Sequence, residues 1–308
     1  MRSGRITTWI CGALSGALLT WGAAQAEVRM ENVIASKVLG EPVRYAVYLP
    51  PDYRQDKREY PVLYLLHGGG TGQPADWFTL AGIDQLLDRL IKDGRIRPVI
   101  AVAPDGRRDA DNIVATYFLD DADGTRRWET MFFDEFMPAI EQRYPIIPGG
   151  DNRAILGISM GALAAIVYQL QAPDEFAGTI ALSPAFRRDE QLLALSPSGY
   201  EARYGGLLGT GLEGADRMTD DWEELRPERL VAEADMSRLG RIPRLLIDLG
   251  AEDPFFAGAA DLHLALKGAG IRHRFRVQEG GHDWVFWRSA LKEALLHADA
   301  VLTRDYGE

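Results

Sequence analysis

Short apolar runs alternate along the chain with stretches whose apolar positions follow helical spacing. The apolar runs fall at residues 61–66, 98–103, 153–156, 176–182 and 244–250. The helical spacing falls at residues 83–91, 129–143, 162–170, 259–269 and 285–303. A continuous apolar run of this length is typical of a strand that is buried on both faces. The alternation therefore predicts an α/β fold with a mainly parallel central sheet and helices on both faces.

The two ends of this pattern differ from its middle. Residues 30–50 hold two extended stretches, in which Val43, Tyr45 and Val47 alternate with other residues before two prolines end the strand. Alternation predicts a strand with one face towards the core, and we expect an antiparallel hairpin at the start of the sheet. Residues 275–277 are predicted to form a last short strand.

The strongest chemical signal is residues 157–161, which read Gly-Ile-Ser-Met-Gly. They lie between the apolar run 153–156 and the helical stretch 162–170, as in the G-x-S-x-G turn between a buried strand and a helix. Such a turn projects the serine hydroxyl away from the sheet, and the helix N-terminus offers unpaired N–H groups to an oxyanion. The pattern indicates that Ser159 is a nucleophile. The alternative is a glycine-rich turn with an idle serine.

A serine nucleophile needs a base, and a histidine base needs a carboxylate that fixes its tautomer. The histidines are His67, His263, His273, His282 and His297. His282 follows two glycines after the last strand, where a loop could bring the imidazole over Ser159, so it is the predicted base. His67 is expected to hold its own loop, and the other three are expected at the surface.

Three carboxylates near the end of the run 244–250 could complete the site. Asp248 lies inside the predicted strand and is expected to be structural, whereas Glu252 and Asp253 lie on the following loop. Asp253 directly precedes a proline and is favoured, with the other two as alternatives. The chain order Ser159, Asp253, His282 is the order found in α/β-hydrolases.

Glycines also follow the first buried run, where residues 67–70 read His-Gly-Gly-Gly. Backbone N–H groups without side chains in front of them suit an oxyanion hole, although a flexible surface turn has the same composition. Residues 105–128 carry acidic clusters whose spacing fits no metal loop, so we expect a solvated loop and no metal. Residues 186–240 break the regular rhythm and are expected to cover one side of the pocket. Trp77, Tyr117 and Trp284 are candidates for pocket walls or for core packing.

Four segments together resemble the esterase D, feruloyl esterase and enterochelin esterase-like family of α/β-hydrolases. They are residues 64–69, 157–161, 248–253 and 280–287. The resemblance extends over residues 30–305. It implies an α/β-hydrolase fold, Ser159 as nucleophile, His282 as base and Asp253 as acid. It also places the oxyanion donors at the backbone N–H groups of Gly69 and Met160.

The resemblance further implies the reaction. The expected activity is that of a serine carboxylic-ester hydrolase, which acts on a small or medium acyl ester through an acyl-enzyme and needs no cofactor. The alternative is an acyltransferase that passes the acyl group to a sugar or lipid alcohol. One departure from the family pattern is Ala162, where many members carry a second glycine after the elbow. This change leaves the chemistry intact.

The N-terminus predicts export. Residues 1–26 combine Arg2 and Arg5, an apolar stretch at 9–21 and an Ala-Gln-Ala end, which is the pattern of a signal peptide. Residues 27–308 would then form a single esterase domain in the periplasm or outside a bacterial cell, with no stable membrane insertion. An uncleaved anchor is the alternative. The only cysteine, Cys11, lies in this segment, so the mature chain would hold no disulfide.

The net charge of the chain limits the classes of partner that we expect. The formal net charge is −11, and loss of Arg2 and Arg5 with the signal peptide would make it −13. A strongly acidic domain binds nucleic acid and anionic lipid poorly. The expected partner is a small-molecule or glycan-linked ester, and the sequence sets no oligomeric state.

Overall fold

The computed structural model describes residues 25–51, 53, 58–109, 111, 113–235 and 244–302. In this part of the chain eight strands form one sheet. The strands are β1 (Glu27–Ile34), β2 (Val43–Leu49), β3 (Val62–Leu66), β4 (Ile100–Pro104), β5 (Arg153–Ile158), β6 (Gly178–Leu182), β7 (Leu245–Gly250) and β8 (His273–Gln278). The predicted signal peptide and Cys11 lie outside the described residues, except for the last two residues of that peptide.

The sheet is mainly parallel, as predicted. Its strand order is β1-β2-β4-β3-β5-β6-β7-β8. β1 and β2 form an antiparallel hairpin, β2 is antiparallel to β4, and all the remaining pairs are parallel. Antiparallel neighbours can be joined by a short connection, as between β1 and β2, whereas each parallel neighbour needs a longer crossover.

Twelve α-helices lie in the described part of the chain. They are α1 (Asp76–Thr79), α2 (Ile83–Lys92), α3 (Trp128–Met131), α4 (Met137–Arg143), α5 (Met160–Gln171), α6 (Asp189–Leu193), α7 (Pro197–Tyr200), α8 (Gly206–Leu208), α9 (Asp220–Glu224), α10 (Pro227–Glu233), α11 (Phe256–Gly268) and α12 (Trp284–Leu302). Shorter 3₁₀ turns occur at Gly150–Asn152 and Gly214–Arg217.

Helices cover both faces of the sheet. Along β3, Tyr64 packs on one side with residues of α4, α5 and α11, while Leu63 and Leu65 pack on the other side with α2 and α12. This alternation is the ordinary period of two of a strand, so each β3 residue is buried whichever way it points. The predicted α/β layering is confirmed.

The aromatic helix predicted over residues 129–143 is interrupted. A π-helical turn at Phe132–Phe136 separates α3 from α4. Pro138 lies in the first turn of α4 and has no N–H to donate to the carbonyl one turn earlier, so the regular bonding pattern changes just before it. The aromatic side chains still point into the core, where Phe132 and Phe136 are fully buried.

The expectation of a solvated loop over residues 105–128 was wrong for its central part. Residues 115–119 are buried, and both Tyr117 and Phe118 adopt positive φ values, of 51° and 56°. Phe118 packs against the ring of His67, with centroids 5.0 Å apart. Asp121 is also buried and forms a bidentate ion pair with Arg108 at 2.7 Å. Acidic residues in this loop therefore hold it together rather than only facing water.

Two further findings concern membrane-spanning helices and metal sites. No helix in residues 25–302, apart from the gaps named above, is long and apolar enough to span a bilayer. Within the same residues no three side chains of the metal-binding types lie together as a site for an ion.

Candidate active site

Four loops meet at one edge of the sheet because the central strands are parallel and in register. Leu66 of β3 pairs with Gly157 of β5, which places the glycine loop beside the serine turn. Gly250 of β7 pairs with Gln278 of β8, which places the next two loops side by side. Parallel strands end at the same edge, and this edge is where α/β folds build their sites.

The turn after β5 is tight and strained. Ser159 has φ 54° and ψ −111°, a conformation that L side chains rarely adopt. A Cβ at Gly157 would lie 2.1 Å from the carbonyl oxygen of Gly161, and one at Gly161 would lie 2.4 Å from that of Leu66. Both positions therefore require glycine, which explains the two fixed residues of the G-x-S-x-G pattern.

Ser159, His282 and Asp253 form a continuous chain of hydrogen bonds. His282 Nε2 lies 2.8 Å from Ser159 Oγ, and His282 Nδ1 lies 2.9 Å from Asp253 Oδ2. A carboxylate only accepts, so the Nδ1–H donates to Asp253 and Nε2 is left to accept the Ser159 proton. The structure thus brings together the three residues that the sequence singles out.

The Asp253 carboxyl is held in its ionised form. Burial alone would raise its pKa, but the hydrogen bond and charge of His282 and the backbone N–H of Phe255 lower the pKa below the ordinary value. The Phe255 N–H donates to Oδ1 at 2.8 Å. Two aromatic rings restrict the imidazole, since Phe255 and Trp287 pack edge-on against it at 4.9 and 5.1 Å between centroids. The charge of the Asp253 carboxylate and the orientation of the His282 ring are therefore both set.

The two alternative carboxylates lie elsewhere. Asp248 is fully buried in β7, where it accepts two hydrogen bonds from Gln278 at 2.9 and 3.0 Å. Burial raises the pKa of Asp248 above its ordinary value. Glu252 is exposed to solvent. Among the three candidates, the His282 imidazole is hydrogen-bonded only to Asp253.

Gly69 and Met160 line the same cavity as Ser159. Met160 is the first residue of α5, so its N–H lacks a partner within the helix. Neither this N–H nor that of Gly69 donates to another group in the described part of the chain. A Cβ at Gly69 would lie 3.5 Å from Sδ and 3.7 Å from Cβ of Met160, so the two residues are neighbours in the cavity. The two N–H groups that the sequence predicts as oxyanion donors therefore belong to residues of the Ser159 cavity and have no other acceptor among the described residues.

His67 supports this loop and stays neutral. The N–H of Gly106 donates to Nε2 at 3.0 Å, which leaves Nδ1–H to donate to the carbonyl of Gly68 at 2.8 Å. Complete burial lowers the pKa of His67 to about 4. The contacts agree with the expectation that His67 holds the glycine loop.

Ser183 was missed by sequence reasoning. It follows β6 at the same edge and has φ 53°. Its hydroxyl accepts a hydrogen bond from Trp287 Nε1 at 3.0 Å and contributes to lowering the pKa of Asp253. Its place directly after an apolar run was the available signal, but no motif marks it.

A large cavity opens above Ser159, with a volume of about 820 Å³. Its apolar wall includes Ile113, Tyr117 and Trp284, and the segment 186–240 contributes Arg187 and Arg203. Trp77 is instead fully buried in the core.

The expectation that the remaining histidines lie at the surface was wrong. His297 is only 4% exposed, because it lies on the inner face of α12. His263 and His273 are partly buried and bond to each other at 2.7 Å between ring nitrogens. A helical position predicts burial only when the orientation of the helix is known, and single histidines do not reveal it.

A model of the protein family described as "Putative esterase" matches residues 36–298. The chain belongs to this esterase family. An esterase of Mycobacterium tuberculosis is 32% identical over 249 residues, which are 77% of this chain and 51% of that protein. An acetyl esterase of Caldicellulosiruptor saccharolyticus is 27% identical over 247 residues, covering 78% of this chain and 83% of that protein.

Comparison with solved structures finds the same fold in another esterase. A ferulic acid esterase superposes with a TM-score of 0.74 and 30% identity, covering 90% of this chain and 99% of that one. The predicted α/β-hydrolase fold is thereby confirmed. The chain spans about half the length of the mycobacterial relative.

Proposed function

We propose that this esterase family member is an exported serine carboxylic-ester hydrolase with a Ser159–His282–Asp253 triad. The observation that carries the proposal is the hydrogen-bond chain of 2.8 and 2.9 Å that links these three side chains at the base of the cavity. The order nucleophile, base, carboxylate is the arrangement that activates a hydroxyl at neutral pH.

The first half of the reaction forms an acyl-enzyme. Ser159 Oγ attacks the ester carbonyl while His282 Nε2 takes its proton, and the charge of Asp253 stabilises the resulting imidazolium. The oxyanion accepts hydrogen bonds from the N–H groups of Gly69 and Met160, each of which contributes about 3 kcal/mol to the transition state. His282 then gives its proton to the departing alkoxide, and the alcohol leaves.

The second half returns the enzyme to its starting state. Water attacks the acyl-enzyme, His282 takes the proton of that water, and Ser159 recovers its proton as the carboxylic acid leaves. Overall one ester and one water give one acid and one alcohol. No step calls for a metal ion or an organic cofactor.

The cavity favours a small or medium acyl group. Its volume of about 820 Å³ lies within the range of ligand sites that enclose most of a small molecule. Two relatives are named as acetyl and ferulic acid esterases, which supports acyl groups of this size. We also propose that residues 186–240, of which 236–240 lie outside the described residues, contribute one wall of the pocket through Arg187, Ala202 and Arg203.

A ladder of p-nitrophenyl esters from acetyl to dodecanoyl, together with methyl ferulate, tests the function. We expect hydrolysis that peaks at a short or medium chain and stops after treatment with a serine-reactive fluorophosphonate. Addition of a sugar or lipid alcohol should leave the free acid as the main product. An acyl-alcohol as the main product would favour the transferase, and no labelling by the fluorophosphonate would contradict the serine mechanism.

The proposed export depends on residues 1–26 acting as a signal peptide. β1 begins at Glu27, directly after the predicted cleavage site, so cleavage would leave the sheet complete. We expect intact-mass analysis of the protein secreted or released from the periplasm to give a chain that starts at Glu27. A chain that retains residues 1–26 would support the anchor instead.

A further inference from the structure

A second functional group shares the cavity with Ser159, namely the guanidinium of Arg187. Arg187 lies on the segment that follows β6. Two residues earlier on this segment, the N–H of Ala185 donates to the carbonyl oxygen of Ser159 at 3.2 Å. This bond attaches the start of the segment that carries Arg187 to the backbone of the proposed nucleophile.

Neutral groups hold this guanidinium in one orientation. Nη1 donates to the hydroxyls of Tyr117 and Tyr204 at 3.1 and 2.9 Å. The guanidinium carbon lies 4.6 Å from the centre of the Phe255 ring, and that ring packs against His282. One aromatic ring therefore separates the fixed cation from the proposed base.

The guanidinium has no counter-ion within the described residues. No carboxylate there pairs with Arg187, and its Nε and Nη2 atoms donate to none of the groups described. Asp76, a carboxylate of the cavity lining, accepts from the backbone N–H of Gln73 at 3.0 Å. The adjacent Arg188 differs, since it forms a bidentate pair with Asp261 at 2.5 and 2.6 Å.

A partly buried cation without a carboxylate partner is energetically unfavourable. The lack of such a partner for Arg187 among the described residues is unusual, because acidic residues outnumber basic ones in this chain and give it a net charge of −11. Arginine stays charged at every working pH, and its planar N–H groups match the oxygens of a carboxylate. We propose that Arg187 binds a carboxylate on the ester substrate, so the preferred substrates are esters that carry this negative group near the scissile bond. This inference rests on the proposed function. The carboxylate itself takes no part in bond making or breaking.

Two pairs of esters test the proposal, each with one charged and one neutral member. The acyl-side pair is p-nitrophenyl hydrogen glutarate and p-nitrophenyl valerate, and the alcohol-side pair is 4-acetoxybenzoate and phenyl acetate. The ratio of kcat/KM for the charged and neutral members is measured in the wild type, Arg187→Gln, Arg187→Lys and Arg188→Gln. Because each ratio is taken within one enzyme preparation, a general loss of active protein cancels.

We expect Arg187→Gln to lower the ratio about tenfold for at least one pair, as loss of a charge-assisted hydrogen bond predicts. Arg187→Lys should retain part of the preference. Arg188→Gln removes the same charge one residue away and should stay within about twofold of the wild type. Equal losses on charged and neutral esters, or unchanged ratios for both pairs, would overturn the proposal and leave Arg187 with a packing role.

A competition assay tests the proposal on the wild-type enzyme alone, so it does not depend on the folding of any variant. Glutarate or benzoate at millimolar concentration should inhibit hydrolysis of the neutral esters by the wild type competitively, and the matching amides should not. Absence of inhibition by both anions would also overturn the proposal. If the wild type hydrolyses none of the four esters, the proposed function itself fails, which is a different result from hydrolysis without any effect of charge.

Discussion

Substitution of Ser159 by alanine is expected to reduce kcat for ester hydrolysis by about 10⁴- to 10⁶-fold. The hydroxyl is the only group of Ser159 placed 2.8 Å from the base, and removal of its oxygen leaves His282 with no nucleophile to activate. The backbone conformation of the turn should persist, because the neighbouring glycines and the N–H of Ser159, which donates to Leu182, are unchanged. Initial rates on the best p-nitrophenyl ester measure the effect.

Ser198→Ala serves as the matched control. Ser198 is exposed on the short helix α7, so the same change in side chain should leave kcat within about twofold of the wild-type value. Circular dichroism and thermal unfolding should show that both variants are folded. Residual activity of Ser159→Ala above about one per cent of wild type would mean that another group attacks the ester.

Much of the sheet could be predicted because its central strands are buried on both faces. The run at 61–66 is apolar at every position, and the structure buries both Tyr64 and Leu65 on opposite sides. The order of the strands could not be read from the sequence in the same way. β4 lies between β2 and β3, a placement that depends on how the connections cross the sheet and not on the composition of any strand.

Some residues of the candidate site could be predicted from the sequence, and others could not. Ser159 and His282 follow strands in recognisable motifs, so their meeting point could be expected from the parallel sheet alone. Arg187 and Ser183 carry no motif, and their roles arise from contacts with residues distant in sequence, such as Tyr117 and Trp287. Positive φ at Ser183 is equally invisible in the sequence, because residues other than glycine rarely signal it.

Replacement of Asp253 by asparagine is expected to lower kcat by about 10⁴-fold. The carboxylate accepts the Nδ1–H of His282 at 2.9 Å, whereas an amide can present an N–H there and favour the tautomer in which Nε2 carries the proton. Such an imidazole cannot accept the proton of Ser159. KM should change less than kcat, because Asp253 is buried behind His282 and does not line the cavity.

The lowered pKa of Asp253 also predicts how stability and activity depend on pH. A carboxyl whose pKa is lower in the folded state stabilises the fold above its unfolded pKa of about 3.9, and this contribution disappears as the pH falls through the folded value. Protonation of Asp253 should therefore not limit activity above about pH 4.

Two matched variants decide between Asp253 and the alternatives. Glu252→Gln changes an exposed neighbour and should leave kcat within about twofold of the wild-type value. Asp248→Asn replaces one of the two oxygens that accept from Gln278 by an N–H donor and removes the carboxylate that lies 3.6 Å from Arg276, so it should lower the free energy of unfolding more than it lowers kcat of the folded fraction. If either of these variants loses kcat to the same extent as Asp253→Asn, the assignment of the carboxylate is wrong. If only Asp253→Asn does, the hydrogen bond to Nδ1 is what sets the tautomer of the base.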